Sequence, residues 1–222
     1  MTATTTAVLA LLVGAATGLL TPTALRRLPE PASGHETGTK IPYAKLATAP
    51  FAAVVGLLAA AAVALSAVAL PLAVLPVWLV LGTLGLLLAA IDARTTWLPL
   101  PLTRVAWVAT AAALVLTAVL GDWPAGVRGA TGFLLAGALF WLIWRVTSGG
   151  FGFGDVRFAP LVGAAAASVS WTLLAWALVL GSVTGAVVGL VRLAGGRRGP
   201  FAYAPSILAG GYLAAALAWL TT

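Results

Sequence analysis

The chain is 222 residues long, 62% hydrophobic and only 8% charged, with a formal net charge of +7 and no cysteine. A soluble domain typically carries about 25% charged residues, so this composition excludes a water-faced globule of ordinary size and makes lipid the main solvent. The lack of cysteine excludes disulfides and cysteine-ligated zinc, the lone His35 argues against a metal site, and the basic residues, spread singly between apolar runs, imply topology signals and no nucleic-acid partner.

In chain order, apolar runs occupy roughly 6–24, 48–70, 74–92, 102–120, 127–147, 156–169, 171–193 and 203–220. A spanning helix needs roughly 20 apolar residues to cross a ~30 Å hydrocarbon core. The pattern therefore predicts an all-α integral membrane protein, one polytopic domain over 1–222 with about eight transmembrane helices. The first run has no Lys or Arg before Arg26, so it lacks the basic start of a signal peptide and reads as a retained helix. The segment 26–47, with Glu30, His35 and Glu36, reads as a short polar loop unable to build a core of its own. Only the sixth run is too short to span comfortably, which suggests a tilted or partly re-entrant helix. Joining 156–193 into one helix would far exceed the core thickness at about 1.5 Å per residue.

Charge supplies an independent check. With the N-terminus outside and eight alternating helices, the inner side receives Arg26, Arg27, Lys40, Lys45, Arg94, Arg104, Arg145, Arg157, Arg192, Arg197 and Arg198. The outer side receives only Arg128. This is the positive-inside bias expected of a multi-pass membrane protein. Small residues four apart, Gly14 with Gly18 and Gly181 with Gly185 and Gly189, read as close helix contacts. Trp97, Trp107, Trp123, Trp141, Trp144 and Trp219, near run ends, read as interfacial anchors.

The acidic residues carry the functional signal. There are five: Glu30, Glu36, Asp92, Asp122 and Asp155. The glutamates fall in the polar loop, and Asp122 falls in an outer turn as a candidate helix cap. Asp92 closes the third apolar run and Asp155 opens the sixth, so the topology puts both at the cytoplasmic edge. Ionisable groups at such depth are costly and serve a purpose. Two carboxyls converging in a low-dielectric site cannot both ionise easily. One then acts as base toward water while the other acts as acid toward a carbonyl, which is what peptide hydrolysis requires. Gly152, Phe153 and Gly154 before Asp155 predict a loop that bends sharply and admits an extended chain. The bland alternatives are that Asp155 caps the sixth helix and that Asp92 pairs with Arg94 or Arg104.

Two stretches, Ile91-Asp92-Ala93-Arg94-Thr95-Thr96-Trp97-Leu98-Pro99 and Gly152-Phe153-Gly154-Asp155-Val156-Arg157, resemble the two motifs of the type IV prepilin peptidases, aspartyl proteases of the Gly-x-Gly-Asp kind. Gly18-Leu19-Leu20 through Arg26-Arg27-Leu28-Pro29 resembles that family's first helix and its exit. Pro200-Phe201-Ala202-Tyr203-Ala204-Pro205 resembles the start of its last helix. The resemblance implies that Asp92 and Asp155 form a catalytic pair within a peptidase core over 48–222. It also implies a bacterial cytoplasmic membrane location and prepilin or pseudopilin precursors, stripped of a short basic leader, as substrates. The chain departs from the family in having Leu100 after Pro99 and Thr21-Pro22 where a first-helix Asn is usual. It also lacks the Cys-x-x-Cys pairs of larger members, so no N-methyltransferase activity, cofactor or zinc is implied. Two other readings stand beside this one: a proton- or cation-coupled transporter using intramembrane carboxylates, and a non-catalytic assembly factor.

Overall fold

The computed structural model of the protein describes residues 2–30, 41–120, 122–148, 152–197, 199 and 201–221. These residues form helical rods, and no strand occurs among them. The rods are α1 (Ala3–Arg27), α2 (Ala49–Ala69), α3 (Leu72–Thr95), α4 (Leu100–Val119), α5 (Trp123–Val146), α6 (Phe153–Val169), α7 (Trp171–Ala194) and α8 (Ala204–Leu220). A short 3-10 turn, Tyr43–Leu46, precedes α2, and a π turn, Leu81–Gly85, interrupts α3. All rods but α6 and α8 are long and apolar enough to cross a membrane. Their outer faces are leucine and valine, with Leu19 79% and Val108 72% exposed. Such a girdle suits lipid and would aggregate in water.

Local chemistry explains where the rods begin. Thr2, Thr48, Asp122 and Ser170 each accept a hydrogen bond from the amide three residues on, satisfying a free N–H at the helix start. Asp122 is thus the cap of α5 that its turn predicted. Ser170 ends α6 and begins α7 in extended conformation, so 156–193 breaks into two helices at a single residue.

The eight rods are not equivalent. About 67% of the apolar stretch of α3 is buried within the protein, against 22% for α1 and α7. Helix α6 is buried without interruption from Phe158 to Ser168. Its 17 residues, about 25 Å, form one central helix that runs through Pro160.

Small side chains make that position possible. A methyl group on Gly132 of α5 would collide with the Gly163 carbonyl of α6, and one on Gly163 would collide with the Gly132 carbonyl. Between apolar helices in lipid the attraction comes from such close packing, because moving one apolar surface from lipid to another gains little. Gly14 and Gly18 meet Ala60, Gly56 and Ala52 of α2 in the same way, and Gly181 meets Ile207 of α8. Gly189 lies farther from its neighbour, the Phe201 ring. At the other end of α6, Arg128 donates to the carbonyls of Ala167, Ser168 and Val169 at 3.3, 2.8 and 3.3 Å. The one basic residue that departs from the charge pattern thereby closes the end of the central helix.

Candidate active site

The two interior helices carry the two aspartates. Helix α3 runs through Thr95, so Asp92 lies within its last turn and is only 4% exposed. Asp155 lies in the first turn of α6 and is 7% exposed. Although 63 residues apart in sequence, their carboxyls are close enough to interact electrostatically. Both approach the backbone N–H of Ala204, which donates to Asp92 Oδ2 at 3.1 Å.

Ala204 is the first residue of α8, where an α-helix has N–H groups with no partner inside the helix. Such an end attracts carboxylates. The neighbouring Pro205 offers no N–H, so the Ala204 amide is the donor presented there. Asp92 is therefore held by α8 and not by Arg94 or Arg104. Asp155 is not the cap of its own helix, because Gly152 occupies the cap position and no side chain bonds there.

The turn after Asp92 locks the two halves of the site together. Thr96 has φ 56°, a left-handed conformation that is rare for a β-branched residue. It is held there by its N–H to the Asp92 carbonyl at 2.7 Å. Thr95 Oγ1 donates to the Ile91 carbonyl at 2.9 Å and accepts from Trp97 N at 3.2 Å. This tight exit places Leu98 over Gly154, where a Cβ would stand 3.1 Å from Leu98 Cδ1. A Cβ on Gly152 would stand 3.0 Å from Asp155 Oδ2. The two glycines thus clear space, one for the exit of the first motif and one for the second carboxylate.

This corrects the reading of Gly152, Phe153 and Gly154 as a sharply bending loop. Only Gly152 is extended, while Phe153 and Gly154 belong to the first turn of α6. The Phe153 ring points away from the carboxyls, meeting the Trp144 ring at 5.0 Å with the Arg157 guanidinium 4.7 Å from its centre. The preceding Gly149, Gly150 and Phe151, with His35, Glu36, Lys40, Arg198 and Pro200, lie outside the described residues.

Two contributors are absent from the sequence reading. Tyr43, 2% exposed, lies close enough to both Glu30 and Asp92 to feel their charges. Its N–H donates to Glu30 Oε1 at 2.6 Å. Burial, and then the charges of Glu30 and Asp92, push its phenol up from 10.0 to about 12. Within the segment 26–47, Tyr43 and Leu46 therefore enter the common core. An aromatic residue amid polar, proline-bearing sequence was the available signal. The second contributor is the Ala204 amide, whose signal was Pro205 marking a helix start. Among the described residues, no three His, Cys, Asp or Glu side chains gather into a set able to hold a metal ion.

No protein-family model, curated protein or solved structure matches the chain.

Proposed function

We propose that the protein is a membrane aspartyl endopeptidase of the prepilin peptidase type, with Asp92 and Asp155 as its catalytic pair. The observation that carries this reading is the meeting of two buried carboxyls, from separate interior helices, at one end of a bundle otherwise almost free of acid. One carboxylate takes a proton from water as the oxygen attacks the peptide carbonyl carbon. The other gives its proton to the carbonyl oxygen. Collapse of the tetrahedral intermediate breaks the C–N bond, and the leaving nitrogen takes a proton from the pair. No covalent enzyme intermediate forms, and the two groups titrate as a unit.

In this reading eight helices cross the bacterial cytoplasmic membrane with the N-terminus outside, and the carboxyls face the cytoplasm. The substrate is a prepilin or pseudopilin precursor whose short basic leader is drawn toward the acidic groups. Its apolar helix stays in lipid. The transporter alternative has less support, because an ion path usually places its carboxylates near the middle of the membrane. Here they sit in the last turn of α3 and the first turn of α6.

The test is cleavage of a co-expressed prepilin-like substrate by wild type, Asp92→Asn and Asp155→Asn at equal membrane levels. Each substitution is expected to lower cleavage by about 10²–10⁴-fold. Wild-type rates in either variant would remove that aspartate from the mechanism. Absence of cleavage by wild type, with proton flux into vesicles that both substitutions abolish, would support the transporter instead.

A further inference from the structure

A second feature lies on the opposite side of α6 from Asp155. A groove of ≈ 360 Å³ opens between α4, α5 and α6, lined by Trp107, Phe133, Gly137, Trp141, Phe153 and Pro160 among others. Phe153 and Arg157 flank Asp155 at two residues on either side, and residues two apart on a helix face different ways. The buried carboxyl therefore points inward while the groove opens outward.

The walls are held rigidly. Trp107 Nε1 donates to the Arg157 carbonyl at 2.9 Å, and its ring meets Phe133 edge-on at 5.9 Å. One end of the groove is cationic. Arg157 is part of the lining. Arg104 falls one turn before Trp107 on α4, and Arg145 falls one turn after Trp141 on α5; both are exposed. The start of α4, the end of α5 and the start of α6 share one end of the bundle, as the Trp107–Arg157 and Trp144–Phe153 contacts show. Three guanidiniums from three helices thus stand at the head of one apolar groove.

We infer that this groove is a binding site for an anionic phospholipid, its acyl chain lying along the Trp107, Phe133 and Trp141 walls and its phosphate meeting Arg104, Arg145 and Arg157. Charge argues for an anionic head, since guanidiniums pair with phosphate through two parallel N–H bonds. Basic sites at the membrane edge between helices bind such heads.

The test is native mass spectrometry of the detergent-solubilised full chain with added phosphatidylglycerol or phosphatidylcholine. Wild type is expected to retain phosphatidylglycerol in preference. Replacing Arg104, Arg145 and Arg157 by Gln should weaken retention by about fivefold per guanidinium removed. Lysine at the same three positions should keep the part that rests on charge and lose the part that rests on paired N–H bonds, falling between wild type and the Gln variant. Ala138→Trp, which fills the groove wall, should lower retention with the charges intact. Control substitution of Arg26 and Arg27 by Gln should leave it unchanged. Equal retention of the two lipids by wild type, or an unchanged preference in the triple Gln variant, would overturn the assignment. So would a dimer peak abolished by Ala138→Trp, which would give the groove to a second copy of the chain.

Discussion

Side chains at the acidic site are constrained through contacts no wider than a methyl group. Leu98 occupies the space that a side chain on Gly154 would need. Gly154→Ala is therefore expected to push Leu98, and with it the exit of α3, by a few tenths of an ångström. Because displacement of about 1 Å can cost 10²-fold in rate, cleavage should fall by about tenfold with little change in protein level. Shortening the neighbour, in the double variant Gly154→Ala with Leu98→Val, should recover much of the loss. A single variant as active as wild type would mean that the contact does not position the aspartates. Tyr43 gives a different signature. Its phenol titrates near 10.0 when exposed and is pushed up to about 12 in the folded protein. Its contribution to stability is then complete below pH 10, is lost as pH rises toward about 12, and has the sign of a group held neutral by folding. Thermal unfolding of Tyr43→Phe should depend less on pH across that window than wild type, and an identical dependence would count against the assignment.

Helix pairs depend on glycine where backbones cross. Gly132 and Gly163 face each other with no space for a methyl group on either. Neither opposing atom is the end of a flexible side chain, so the helices themselves would have to separate. Gly132→Val is expected to destabilise the protein by at least about 1–3 kcal/mol, the usual cost of overpacking. It should also lower the amount of folded protein recovered in mild detergent. Gly189→Val gives the contrast, because its neighbour, the Phe201 ring, stays at 3.8 Å and can accept a larger side chain. Equal recovery of the two variants would show that the α5–α6 crossing is softer than its geometry indicates. Separation of these helices also moves Asp155, since α6 carries it, so stability and cleavage should fall together at Gly132.

Across the bundle, the charge pattern and the position of the acidic site make one joint statement about orientation. In the proposed topology both chain ends lie outside and the α7–α8 connection lies inside. The chain contains no cysteine, so single cysteines report without background. Thr2→Cys and Thr221→Cys should react with a membrane-impermeant thiol reagent in intact cells. Arg197→Cys should react only after the cells are opened. Labelling of Arg197→Cys in intact cells would reverse the orientation and put the acidic site on the outside, where a cytoplasmic leader could not reach it.

Much of this arrangement is legible in residue order, because each rod is specified locally. Apolar runs of spanning length, the cap Asp122 and the break before Trp171 act within a few residues of one another. The two aspartates were legible for the same reason: a carboxyl at the end of an apolar run is costly wherever the chain goes next. What surrounds them was not. The Ala204 amide and Tyr43 approach Asp92 from separate parts of the chain, Leu98 meets Gly154 beside Asp155, and each approach depends on which helices touch and at what depth. Helix α6 shows the difference most clearly. A run too short to span lipid is ambiguous in isolation, yet inside a ring of other helices it is a complete central element. Burial is a property of neighbours, and neighbours are chosen by the close packing of surfaces that lie far apart in the chain.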